Sequence, residues 1–322
     1  MLSEARVKLN DTQRARKRKA RRKLIRQNWE LYMFLIIPVA FILIFHYWPM
    51  FGVQIAFRKY RIADGIWGSQ WVGFAQFEKF FRSPQFKTVV PNTIILSLYG
   101  LVAGFPLPIM LALALNVLRS KRYKMTVQMI TYMPHFISTV VLVGMMIAIF
   151  NPRIGLYGIL YQLLNDGKAP RDLMGQAGAF RHLYVWSGVW QNMGWSSIIY
   201  LAALSAVDTE LHEAAQIDGA SRFKRVIHID VPAIMPTAII LLIMNTGNIM
   251  SIGFEKAYLM QNNLNKSTSE IISTYVYYIG MTSGTGDFSY ATAINLFNSI
   301  INLAMLVLVN TISRKVTETS LW

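Results

Sequence analysis

The chain has 322 residues, 54% of them hydrophobic and 15% charged, with 32 Lys/Arg against 16 Asp/Glu. Its mean hydropathy is positive, +0.36. Apolar residues fall in runs of roughly twenty, the length that crosses about 30 Å of hydrocarbon as helix, which a soluble two-domain protein of this size does not need. Cysteine is absent, which excludes a disulfide framework, a thiol nucleophile and a thiolate metal site.

Residues 1–28 carry eleven Lys/Arg, including RARKRKARRK. No base-reading or aromatic context accompanies them, so a nucleic-acid arm is not expected. No small-residue cleavage site follows the first apolar run, so a secretory leader is not expected either. The segment reads as a topology signal at an anionic membrane surface, with residues 1–30 cytoplasmic and residues 31–322 forming the transmembrane domain.

Six spans are expected: Leu31–Phe51, Val89–Leu118, Val127–Phe150, Leu183–Ala206, Ala233–Ile252 and Phe288–Ile312. The second is overlong and holds Pro91, Gly100, Gly104, Pro106 and Pro108, which predicts a break or kink. The fourth is the least apolar, interrupted by Gln191, Asn192 and tryptophans. An even number of spans returns Arg314 and Lys315 to the side of the N-terminus. That topology leaves about twenty Lys/Arg inside and about twelve outside. The expected fold class is therefore an all-α integral membrane protein with both termini in the cytoplasm.

Enzymatic signatures are missing. There is no HExxH, no GxSxG, no GxxxxGK[ST] loop for nucleotide phosphates and no clustered carboxylate pair. Ionisable residues within the spans are few, so an intramembrane proton relay is not expected. If the protein moves a solute, the energy arrives from another protein.

Between the fourth and fifth spans stands EAAQIDGASRFKRVIHIDVPAIMP, residues 213–236. Val207, Leu211, Ala214 and Ala215 share one side of a helix, and Asp208 and Glu210 lie where a helix start favours negative charge. Gly219 permits a sharp bend. A second short helix is expected from Ser221, with Phe223, Val226 and Ile227 in helical spacing, and Pro232 and Pro236 mark the entry to the fifth span. From spacing alone, this segment either packs under its own bundle or docks on a partner.

Glu213, Ala214, Ala215, Gly219, Ala220, Ile229, Pro232 and Pro236 stand at the positions of the EAA loop. In this loop the chain resembles the permease subunits of binding-protein-dependent ABC importers. HYWPMFGVQIAFRKY, NTIILSLYGLVAGFPLPIMLALALN and YMPHFIS resemble the oligosaccharide and polysaccharide branch, with maltose-type and alginate-type relatives. The resemblance implies a type I importer permease with a cytoplasmic coupling helix within about 207–232, in the inner membrane of a bacterium. It implies as partners a second permease of a different chain, a dimer of ABC ATPases, an extracytoplasmic binding protein and an oligosaccharide substrate. It implies no cofactor in this chain, with ATP and Mg held by the ATPase. Glu213, Ala214, Ala215, Asp218, Gly219, Ala220 and Phe223 would form the ATPase-coupling surface. The same machine carrying a peptide or a modified or acidic sugar is the alternative.

Asn192 and Trp195 in the fourth span, Asn245 and Asn248 in the fifth, and Asn295, Asn298 and Asn302 in the sixth form amide-bearing stripes. With Tyr200 they are candidates for a sugar path, since amides both donate to and accept from hydroxyls. Polar residues also bind membrane helices to one another. The first outward loop carries Arg58, Lys59, Arg61, Lys79, Arg82 and Lys87, a positive surface that suits an acidic solute or binding protein.

Overall fold

The computed structural model describes residues 19–20, 23–24, 27–284, 286–317 and 320–321. The basic segment expected over residues 1–28 lies largely outside them. Two compact units are present, residues 1–55 and 56–322. The first contains helix α1, Trp29–Ile42, which passes through a π turn, Leu43–Tyr47, into a 3-10 stretch beginning at Trp48. No residue of α1 is buried, and its apolar composition suits a lipid-facing helix.

The second unit opens with a two-residue ribbon, β1 Arg58–Lys59 against β2 Gln70–Trp71, and the short helix α2, Ala75–Arg82. The cations expected in the first outward loop are largely engaged here. Lys79 pairs with Asp287 at 2.8 Å, Arg61 with Asp64 at 3.7 Å and Arg82 with Glu78. Arg58 donates to Ser69 O at 2.8 Å and lies over the Trp71 ring. Much of the positive surface expected from the sequence is thus spent on the fold.

Helices α3, Phe86–Gly104, and α4, Pro106–Val117, form one 32-residue span. Phe105 keeps helical angles between them, so Pro106 and Pro108 occupy a helix start, where their missing N–H groups cost little. The third expected span is not straight. Helix α5, Lys121–Tyr132, ends in a 3-10 turn, Met133–Phe136, and α6, Thr139–Ile149, leaves at 99°. Ile137 and Ser138 are extended, and Ser138 Oγ caps α6 by accepting from Val141 N at 3.3 Å. The orphaned Ile137 carbonyl accepts from Gln191 Nε2 at 2.8 Å, the neighbour contact that a broken membrane helix requires.

After α7, Leu156–Leu164, comes α8, Ala177–Ser205, 29 residues long. At about 1.5 Å per residue it is long enough to cross. Four other spans, Trp29–Phe57, Phe86–Val117, Arg222–Gly247 and Phe288–Lys315, meet both length and hydropathy criteria among the described residues, with the bent α5–α6 pair as a fifth. The polar residues of α8 are what separate it from these. It packs against α5 through Gly194, where a Cβ would lie 2.0 Å from Thr131 O.

Helix α9, Thr209–Ile217, precedes α10, Arg222–Gly247. The second short helix expected from Ser221 is not separate from the fifth span. A π turn over Val226–Asp230, closed by Val231 N donating to Val226 O, carries the helix continuously past Pro232. The shifted hydrogen-bond register absorbs the proline that would otherwise mark a boundary. The fifth span also ends earlier than the expected Ile252. Asn302 Oδ1 accepts from Met250 N at 2.8 Å and Asn302 Nδ2 donates to Ser251 Oγ at 2.7 Å, holding the chain beyond the helix end. Helices α11, Phe254–Met260, α12, Ile272–Tyr277, and α13, Phe288–Thr317, complete the unit.

Four apolar clusters hold the unit among the described residues, the smallest joining Phe77 of α2 to Ala293 of α13. One gathers Phe80, Val89, Ile272, Tyr290 and Ile294; a second joins Leu96, Leu142, Phe180, Ala257 and Met260. A third, Ala112, Tyr200, Leu204, Ile234 and Ala238, sits where α4, α8 and α10 come together. Buried Asn92 and Asn265 clamp the segment between α11 and α12. Asn92 donates to the Ser267 and Glu270 carbonyls, and Asn265 to those of Met174 and Met260.

Candidate functional site

The loop between α8 and α10 is an elbow capped at both ends of α9. Asp208 caps α9 by accepting from Glu210 N at 3.0 Å. At its other end Gly219 has φ +75°. Ala220 N donates to Ala215 O at 2.8 Å and Gly219 N to Gln216 O at 3.0 Å, the paired bonds of a Schellman cap that requires a left-handed residue at this position. Ser221 then caps α10, accepting from Lys224 N at 3.3 Å.

The outer surface of this elbow is apolar and unpacked within the chain. Ile217 is 87% exposed and Phe223 72%, with Leu211, Ala214, Glu213 and Asp218 also exposed. Ala215 and Ala220 are half-buried. Arg222, Lys224 and Arg225 crowd the first turn of α10, where the helix dipole disfavours cations; helix stability does not explain their placement.

On its inner side the elbow is tied to the bundle. Asp230, buried in the π turn, receives His212 Nε2 of α9 at 3.2 Å and Asn116 Nδ2 of α4 at 3.3 Å. Through Asp230, α9 is thereby joined to two spans, α4 and α10. The sequence offered a clue in a lone carboxylate set among apolar residues just before Pro232, but its partners come from elements far apart in the chain.

A group of cavities with a few polar side chains in mainly apolar walls lies around the break at Phe105 between α3 and α4. One cavity of about 370 Å³ is lined by Tyr184, Gly188, Gln191, Asn192, Ser196 and Lys256. A second, about 420 Å³, takes in Trp195, Ser196, Tyr200 and Asn245, and a third, about 310 Å³, takes in Ser97, Gly100, Asn245 and Asn248. All three include Gly104. A Cβ at Gly100 or Gly104 would meet no heavy atom within 4 Å, so these glycines leave space free.

The amide stripes of α8 and α10 therefore meet here, and that of α13 does not. Asn295 is exposed away from these cavities, Asn298 is buried with Oδ1 unpartnered, and Asn302 is committed to the end of α10. Asn192 has a structural bond as well, its Oδ1 lying 3.0 Å from His135 Nδ1. The His135 ring stacks on Trp195 at 4.5 Å, so one face of that indole is already covered. Tyr200 is buried in the third apolar cluster and reaches only the wall of the second cavity. YMPHFIS thus has a physical role: Pro134 sits in the turn, His135 and Ile137 O anchor to α8, and Ser138 restarts the helix.

A helical membrane bundle with a capped, exposed elbow and cavities carrying a few polar side chains among its spans has the parts of a transport permease. The chain belongs to the family of binding-protein-dependent transport system inner membrane components, whose model matches residues 104–318. It is 40% identical over 299 residues to Protein LplB of Bacillus subtilis (strain 168), covering 93% of this chain and 92% of that protein. It is 38% identical over 300 residues to the polygalacturonan/rhamnogalacturonan transport system permease protein YteP of the same organism, covering 93% and 92%. Among solved structures it matches a bacterial ABC transporter involved in the import of the acidic polysaccharide alginate. Identity is 36% and TM-score 0.83, covering 92% of this chain and 98% of that one. A second structure, a bacterial alginate ABC transporter with an alginate pentasaccharide-bound periplasmic protein, matches at 36% and TM-score 0.84, covering 93% and 99%. The fold is that of a type I ABC importer permease, and the chain is a transport component of the inner membrane.

Proposed function

We propose that this chain forms half of the translocation path for an oligo- or polysaccharide, delivered by an extracytoplasmic binding protein and driven by a separate ATPase docked on the elbow. The observation that carries this reading is the elbow itself: an exposed apolar surface on a bend of fixed backbone sign, tied through Asp230 to two spans. Glu213, Ala214, Ala215, Asp218, Gly219, Ala220 and Phe223 form the coupling surface. ATP and Mg bind to the ATPase, and closure of its dimer pushes α9. A second, unlike permease completes the path, and both termini of this chain face the cytoplasm. Asn192, Trp195, Asn245 and Asn248 present amide and aromatic groups to the sugar, as their shared cavity walls favour.

The test is uptake of labelled oligosaccharide into proteoliposomes holding both permeases and the binding protein, with and without the ATPase. Uptake that survives omission of the ATPase overturns the energising scheme. Absence of any saccharide uptake by the full complex overturns the substrate class.

A further inference from the structure

Lys256 stands apart from the other cations of the chain. It projects from α11 into the helical bundle and is only 8% exposed. Its Nζ donates to the backbone carbonyl of Tyr184 at 2.8 Å and lies 4.9 Å from the centroid of that ring. Gly188, one turn further along α8, has no side chain to shield this carbonyl, and a Cβ there would come within 3.2 Å of the ammonium. Among the described residues no carboxylate lies within ion-pair distance of Lys256. A buried ammonium held only by a carbonyl and a ring is under-compensated. Lysines inside a membrane bundle generally mark a ligand or ion path.

Its surroundings specify the missing partner. Lys256 lines the 370 Å³ cavity together with Gln191, Asn192 and Ser196, groups that suit sugar hydroxyls. The cavity offers one cation and no arginine fork, and exposed Glu255 lines it too. A phosphate dianion would be poorly matched by this single cation, because it needs more donors and more positive charge. A single sugar carboxylate matches one ammonium. We infer that Lys256 is a specificity-determining residue that receives the carboxylate of a uronate-type sugar as it passes through this cavity, so that the substrate is an acidic oligosaccharide. This rests on the saccharide reading above and deepens it.

The experiment compares uptake of an alginate trisaccharide with that of its carboxyl-reduced, neutral counterpart in proteoliposomes containing the complete transporter. Losing one hydrogen bond to a charged group corresponds to about a 10- to 100-fold effect. Lys256→Gln lowers alginate uptake by about that factor and leaves neutral-sugar uptake within about threefold, while Lys256→Arg retains alginate uptake. If Lys256→Gln does not assemble with the ATPase, Lys256→Met, which keeps the aliphatic stem, serves the same comparison. Equal loss of both sugars, or unchanged selectivity, makes Lys256 a strut between α11 and α8 and overturns the inference alone. Wild-type transporter that imports neither sugar overturns the saccharide reading, and this inference with it.

Discussion

Replacing Gly219 separates the backbone requirement of the elbow from its surface chemistry. At φ +75° a Cβ would meet no heavy atom within 4 Å, so substitution costs no packing inside this chain. The cost lies in the backbone: about 1–2 kcal/mol for an L-residue held left-handed, with more for a β-branched side chain. Asn enters this region readily. If the residue leaves it, the bonds from Ala220 N to Ala215 O and from Gly219 N to Gln216 O are lost together. A shift of 1–2 kcal/mol changes the ratio of bent to unbent elbow by about 5–30-fold, and an ATPase that docks only on the bent form weakens by up to that factor. We expect Gly219→Ala to lower ATPase affinity by that amount, Gly219→Val to lower it further, and Gly219→Asn to stay within about threefold of wild type. Titration of purified ATPase into permease-containing nanodiscs reads affinity, and substrate-stimulated hydrolysis reads coupling. Wild-type affinity and stimulation in the valine variant refute the reasoning. An asparagine variant as defective as valine would show instead that the partner contacts the Cα of Gly219 directly.

Phe223→Asp adds a charge to a side chain that is 72% exposed; permease melting temperature stays near wild type, as for surface substitutions generally, while ATPase co-purification is lost. Asp230→Ala removes the acceptor of both His212 and Asn116, costing about 1–3 kcal/mol. The outcome is a lower melting temperature and faster amide exchange across residues 209–217, and unchanged exchange there would dismiss the tie. Gly194→Ala forces a Cβ to within 2.0 Å of Thr131 O. Backbone must move, so the yield of monodisperse permease falls sharply, and a normal gel-filtration profile would contradict the close α5–α8 crossing. These join the Lys256 series as tests on three separate parts of the chain: the elbow, the α5–α8 crossing and the cavity.

Apolar run length, proline and glycine placement and one charged motif were enough to read a membrane bundle, five of its spans and an elbow at Gly219. Each depends on neighbours in sequence: hydropathy sums over a window, and a left-handed cap needs glycine whatever lies around it. The 99° bend of the third span was not legible because hydropathy is blind to direction; the chain breaks at Pro134–Ser138, where Gln191 satisfies the freed Ile137 carbonyl. The same blindness to partners hid the continuation of α10 past Pro232.

Among the candidate path residues, identical asparagines diverged according to what faced them. Asn245 and Asn248 reach cavities, Asn298 is buried, and Asn302 holds the end of another helix. Composition determined that this protein lives in a membrane, and the motif determined where the exposed elbow lies. Tertiary structure alone decided which polar groups remain free for a solute, because a hydrogen-bonding side chain is available only when no distant backbone has already claimed it.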